Sequence, residues 1–160
     1  MKSIKESEFL SKDFYKKDLD ILRKVYFQEI LAEKRYSKHI ANVSSDEIRN
    51  LLVGLFEEEK EHKEAILSEI KKINPKFKQV NDTLWEMQIQ KELMNGVGNE
   101  ISVIKAILQI NIEKEKESIR QYIGYSKEAE NEQIKALLRG FSVDEQVHFE
   151  KLQEMLNKIV

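Results

Sequence analysis

Residues 48–70 read IRNLLVGLFEEEKEHKEAILSEI. Ile48, Leu52, Leu55, Ile66 and Ile70 recur at steps of three and four, the spacing that puts side chains on one face of an α-helix. Glu59 and His62 fall on the same stripe, in the middle of what should be a buried seam. Residues three apart on a helix share a face, so one carboxylate and one imidazole point the same way. Taken alone, the pair fits a solvated face of a glutamate-rich helix as well as it fits a metal site. The rest of the chain decides between them.

Before this helix, residues 1–12 form a polar lead-in, and a helical stripe then runs through Leu22, Val25, Glu29, Ala32, Tyr36, Ile40 and Val43. Asn42–Glu47 reads as a stop and a new start, with Ser44 or Ser45 as N-cap. The second helix runs to about Ile73, where Asn74-Pro75 ends it. Residues 74–99 read as a crossover. Asn81-Asp82-Thr83 caps a short helix through Met94, Asn95–Asn99 forms a joint, and Trp85 and Met87 pack against the bundle. The third helix carries Ile101, Ile104, Leu108, Ile112 (or Asn111), Glu115, Ser118 and Tyr122. After a turn at Ala129–Glu132, the fourth carries Ile134, Leu138, Phe141, Glu145, His148, Leu152, Met155 and Ile159.

Two helix pairs with short turns (13–73 and 100–159), joined by one long connection (74–99), predict an all-α, ferritin-like antiparallel four-helix bundle in a single domain, 1–160. No stretch alternates with period two, so no sheet is expected. The composition agrees: 35% charged residues, five glycines and one proline suit long amphipathic helices. A net charge of −2 without a basic block speaks against nucleic acid. No apolar run is long enough to span a membrane and no leader follows Met1, so a cytoplasmic location is expected. With no cysteine, this chain holds no disulfide, sulfur-ligated zinc or iron–sulfur centre.

Each of the four stripes is interrupted by a carboxylate: Glu29, Glu59, Glu115 and Glu145. The two halves are copies at a shift of 86, which lays Glu29 on Glu115, Tyr36 on Tyr122, Ile48 on Ile134, Leu51-Leu52 on Leu137-Leu138, Gly54 on Gly140, Glu59 on Glu145 and His62 on His148. Glu33, Glu57, Glu61, Glu113 and Glu117 have no carboxylate at the matching position and read as solvated flanks. Four ionised carboxylates in an apolar core would each cost several kcal/mol or more without a partner. Two divalent cations would balance them. Oxygen-rich ligation with one imidazole per ion suits iron or manganese better than magnesium, calcium or structural zinc.

The doubled set, Glu29-x2-Ala32-x3-Tyr36 with Glu59-x2-His62 and Glu115-x2-Ser118-x3-Tyr122 with Glu145-x2-His148, resembles the rubrerythrin-like branch of the ferritin-like superfamily over about residues 18–158. The resemblance implies two iron ions, with manganese or a mixed pair as alternatives. Glu29 and Glu115 would be ligands, Glu59 and Glu145 would bridge or chelate the pair, and His62 and His148 would each hold one ion. Tyr36 and Tyr122 would hydrogen-bond to ligand carboxylates, although ordinary buried tyrosines are a close alternative. The resemblance departs at Ser118, where rubrerythrins carry an extra glutamate. Their Cys-rich rubredoxin module is also missing from this chain, so electrons would come from an external donor protein.

The implied activity is reduction of O2 or hydrogen peroxide at the di-iron site. Oxidation and handling of Fe(II), or metal binding without turnover, is the alternative, and a metal-stabilised interaction module is a third. A homodimer is expected, and the crossover is long enough for helix pairs to be exchanged between two chains. Glu58 and Asp144 precede the stripe glutamates in both halves. They could orient the opposite histidines, but a surface position is the expectation. His39, with Tyr125 as its mate, is expected to be exposed, and Gly54 and Gly140 to allow close helix approach.

Overall fold

In the computed structural model, residues 4–78 and 100–159 are described, with side chains from residue 16 onward. Four helices are seen among them: α1 (Ile4–Ala41), α2 (Asp46–Ile73), α3 (Glu100–Glu128) and α4 (Glu132–Ile159), with no strand. The expected short helix from Asn81 to Met94, the joint at Asn95–Asn99, Trp85 and Met87 all lie outside the described residues. The first helix begins at Ile4 and not near residue 13. No proline or glycine falls between those points to interrupt the turn-by-turn hydrogen bonding, so the polar lead-in is the start of α1.

Both hairpin turns are tied by side chains. Ser45 is the N-cap of α2, although its hydroxyl makes no capping bond. The Arg49 guanidinium instead donates to the Val43 carbonyl at 2.5 Å, and the Asn42 amide donates to Lys38 O at 2.7 Å. At the second turn Asn131 Oδ1 accepts from the backbone N–H groups of Gln133 and Ile134, satisfying two donors at the start of α4. Asp18, fully buried on α1, accepts the N–H groups of Glu130 and Asn131 at 2.7 and 2.9 Å. The second turn is thereby pinned to the first helix.

Long-range hydrogen bonds give the helix directions. Tyr36 reaches Glu115 and Tyr122 reaches Glu29, so α1 and α3 run antiparallel. His62 reaches Asp144 and His148 reaches Glu58, so α2 and α4 do too. Helix α2 is therefore parallel to α3, and the end of α2 and the start of α3 lie at opposite ends of the bundle. Exchanging each residue with its mate 86 positions away converts each of these bonds into the other of its pair. The sequence repeat has become a pseudo-two-fold axis through the middle of the bundle.

Two apolar layers flank that middle. One gathers Leu22, Val25, Ile66, Ile70, Ile134 and Leu138, and the other gathers Leu52, Leu55, Ile107, Leu108, Ile112 and Leu152. Each fully buried aliphatic side chain contributes roughly 1.5–3 kcal/mol relative to exposure, which offsets the polar layer between them. Gly54 and Gly140 do not mediate close approach. Both are exposed, and a methyl group added to either would meet nothing within 4 Å.

Candidate metal centre

The polar layer is where the four stripes meet. Glu29 on α1, Glu59 and His62 on α2, Glu115 on α3, and Glu145 and His148 on α4 are all buried, none more than 6% exposed. Their ligand atoms form two groups, each drawn together within 4.8 Å: Glu29, Glu59, His62 and Glu145 in one, and Glu59, Glu115, Glu145 and His148 in the other. Glu59 and Glu145 belong to both. All six sequence-derived candidates are brought together, and each group can hold a metal ion.

The oxygens divide evenly between the halves. His62 Nδ1 lies 3.4 Å from Glu59 Oε2 and 3.1 Å from Glu145 Oε1, while His148 Nδ1 lies 3.4 Å from Glu59 Oε1 and 3.7 Å from Glu145 Oε2. Each shared carboxylate thus presents one oxygen to each histidine. Glu29 Oε1 is 3.8 Å from His62 Nδ1, and Glu115 Oε1 is 3.6 Å from His148 Nδ1. Despite this crowding, both Nδ1 atoms, Glu29 Oε2, Glu115 Oε2 and Glu145 Oε1 are buried without a hydrogen-bond partner. Buried polar groups are rarely left so. Orphaned oxygen and nitrogen donors converging from both halves are the arrangement a pair of cations would satisfy, and the mixed carboxylate–imidazole set suits iron or manganese.

Neighbouring side chains hold these six residues in place. Tyr36 Oη donates to Glu115 Oε1 at 2.5 Å, and Tyr122 Oη donates to Glu29 Oε1, with both tyrosines 1% exposed. The outward nitrogens of the histidines are also taken: His62 Nε2 donates to Asp144 Oδ2 at 3.0 Å, and His148 Nε2 donates to Glu58. Glu58 and Asp144 therefore do more than the surface role expected of them. Their side chains are 45% and 53% exposed, yet each reaches across to the histidine of the opposite helix. Both imidazoles are set with Nδ1 inward, and carboxylate partners of this kind fix ring orientation and raise ligand basicity. Phe141 stacks on His62 with ring centroids 4.1 Å apart and fixes that ring further.

Electrostatics follow from the crowding. Burial, reinforced by the neighbouring carboxylates, pushes Glu29 and Glu115 well above the usual carboxylate range. Burial would raise Glu59 too, but the nearby imidazoles of His148 and His62 outweigh it and hold Glu59 well below that range. Burial alone would lower His62, yet Glu145 and Glu59 overcome it and hold the imidazolium form up to about 10. His148 is raised in the same sense by Glu115, Glu145 and Glu59. Without cations, protons supply the positive charge that this cluster requires.

Two expectations fail close to the centre. His39 is fully buried, not exposed: its Nδ1 accepts from Asn111 Nδ2 at 2.8 Å, and burial beside Arg35 lowers it to about 3. It sits one turn beyond Tyr36, so the stripe runs on through it. Glu33 is buried as well, ion-paired to Lys63 at 2.5 Å, whereas Glu57, Glu61, Glu113 and Glu117 are solvated as expected. Asn111 lies one turn before Glu115 and was the alternative stripe residue to Ile112; both are buried.

A family model described as Rubrerythrin matches residues 20–156. No curated protein and no solved structure gives a significant match. Among the described residues, no helix is long and apolar enough to cross a membrane.

Proposed function

The chain belongs to the rubrerythrin family, and on that premise we propose that Glu29, Glu59, His62, Glu115, Glu145 and His148 hold a carboxylate-bridged pair of irons that reduces hydrogen peroxide or O2 with electrons from an external donor. The observation that carries this reading is the sharing of Glu59 and Glu145 between two otherwise separate four-residue groups. A bridged pair of irons supplies two electrons at one place, which matches the two-electron reduction of a peroxide bond.

The protein's own residues have three tasks in this reading. Glu59 and Glu145 would hold the two ions together, and the buried aliphatic layers on either side exclude bulk water. Tyr36 and Tyr122 hold the terminal carboxylates through their hydroxyl protons. Asp144 and Glu58 keep His62 and His148 turned inward. Reduction of hydrogen peroxide to two waters takes up two electrons and two protons. The half-exposed Glu58 and Asp144, bonded to the buried histidines, are the groups best placed to exchange protons with solvent.

A second reading, oxidation of Fe(II) for storage or transfer, is favoured by Ser118, which occupies the place of the additional acidic ligand. One experiment separates the two. Anaerobically reduced, iron-loaded protein is mixed with hydrogen peroxide or with O2, and oxidation is followed by absorbance. Much faster oxidation by peroxide supports the peroxidase reading. Equal or slower oxidation by peroxide counts against the peroxidase reading, and accumulation of many irons per chain supports iron handling.

A further inference from the structure

A centre this deeply buried needs a way in, and the structure assigns one: we propose that the groove between α1 and α3 at Ala32 and Ser118 is the portal by which a peroxide-sized molecule reaches the two-metal centre. The proposal rests on the function given above and adds the route and the residues that set its width. Along α1 the stripe runs Val25, Glu29, Ala32, Tyr36, His39, and every member is 0–1% exposed except Ala32, which is partly exposed. Along α3 it runs Asn111, Glu115, Ser118, Tyr122, with 0–3% exposure except at Ser118, again partly exposed. Beside the polar layer both stripes thus open to the outside, and they do so where the side chain is smallest.

These two points face each other. Ala32 and Ser118 are mates under the 86-residue repeat, so they flank the pseudo-two-fold axis that exchanges the two metal-holding groups. Each lies one turn from its terminal glutamate and one turn from the tyrosine that reaches across to the other helix. A groove of about 240 Å³ is lined by both residues, which is room for several small molecules. The two side-chain rungs that join α1 to α3, Tyr122–Glu29 and Tyr36–Glu115, lie on either side of this point.

The mouth is polar. Gln28 Nε2 donates to Gln121 Oε1 at 2.7 Å across the groove, one turn from Ala32, and Gln28 Oε1 is buried without a partner. Gln28, Ser118 and Gln121 line the groove with polar groups, which suits a polar molecule such as hydrogen peroxide better than O2.

The test narrows the groove from either wall. Ser118→Val, Ser118→Leu and, from the opposite helix, Ala32→Leu are loaded with Co(II), and metal content and the visible spectrum are recorded. Azide is then added to the cobalt protein, and peroxide to the di-ferrous protein, with rates taken by stopped flow. The expected result is two metals per chain with an unaltered cobalt spectrum, and rates for both probes that fall with side-chain size, by about tenfold or more for leucine. Ala32→Leu serves as the second variant if Ser118→Leu does not fold. Native rates in the leucine variants that keep both metals would overturn the portal. Failure of the unmodified chain to hold two metals would instead overturn the function on which the portal rests, so the two failures are distinguishable.

Discussion

Stripping the metals and raising the pH should destabilise the protein steeply, and the slope can be worked from the site. His62 has an ordinary value of 6.5 and is held up to about 10 in the fold, with His148 raised the same way. A folded-state value raised above the unfolded one gives stability that is complete below the unfolded value and lost as pH rises through the folded one. For His62 the window runs from 6.5 to about 10, and the full contribution is about 5 kcal/mol, at about 1.4 kcal/mol for each pH unit of that window. Within it each extra bound proton contributes a slope of about −1.4 kcal/mol per pH unit, so the two histidines together give about −3. Glu29 and Glu115, also raised, act in the same direction, whereas the lowered Glu59 acts only below the carboxylate range. From pH 7.5 to 9 the metal-free protein should therefore lose about 4 kcal/mol, which for a chain of this size lowers Tm by roughly 8–16 °C. In the metal-loaded protein cations replace those protons, so its Tm should stay nearly level and the gap between the two forms should widen with pH. Thermal melts from pH 6.5 to 9.5, with chelator or with excess metal, measure both curves. A metal-free Tm that is flat or rises across this range would refute the reasoning, because the cluster would then hold no protons for metals to displace.

Other perturbations probe the supports separately. Asp144→Asn and Glu58→Gln weaken the hold on His62 and His148 and should each reduce metal affinity by about 10–100-fold at unchanged stoichiometry, measured by competition with a chelator. Tyr36→Phe and Tyr122→Phe remove the donors to Glu115 and Glu29. Each should lower affinity by a comparable factor, with the double variant weaker than either, while circular dichroism stays native. Asp18→Ala leaves two partly buried N–H groups of the second turn without their acceptor and should cost about 1–3 kcal/mol in urea unfolding, with metal stoichiometry unchanged in the folded fraction.

The bundle and its six central residues were legible because both are periodic. Apolar spacing defines each stripe, and the 86-residue repeat picks out, from many glutamates, the four that lie on a stripe and recur in both halves. Contacts without a periodic signature were not. Asp18 bonds to backbone groups 112 and 113 residues away, and its repeat mate is Ile104, so neither spacing nor symmetry marks it. His39 and Asn111 pair with each other across α1 and α3, while their mates, Tyr125 and Val25, preserve no polar pattern. They break the symmetry that served as the guide. Glu58 and Asp144 were visible as a negative charge recurring in both halves, but their contacts run to the opposite helix, and helix register across an interface is not encoded in spacing along one chain. The glycines show the converse failure. Gly54 and Gly140 recur in the repeat yet sit on open surface, and nothing in the structure explains their match.

The account turns on two ions sharing two carboxylates, and a crystal structure of the iron-loaded protein with anomalous data at the iron edge tests that directly. The expected map shows two peaks about 3.5–4 Å apart. Glu59 and Glu145 should touch both, with Glu29 and His62 on one and Glu115 and His148 on the other. A single peak, or two peaks without a shared carboxylate, would contradict it.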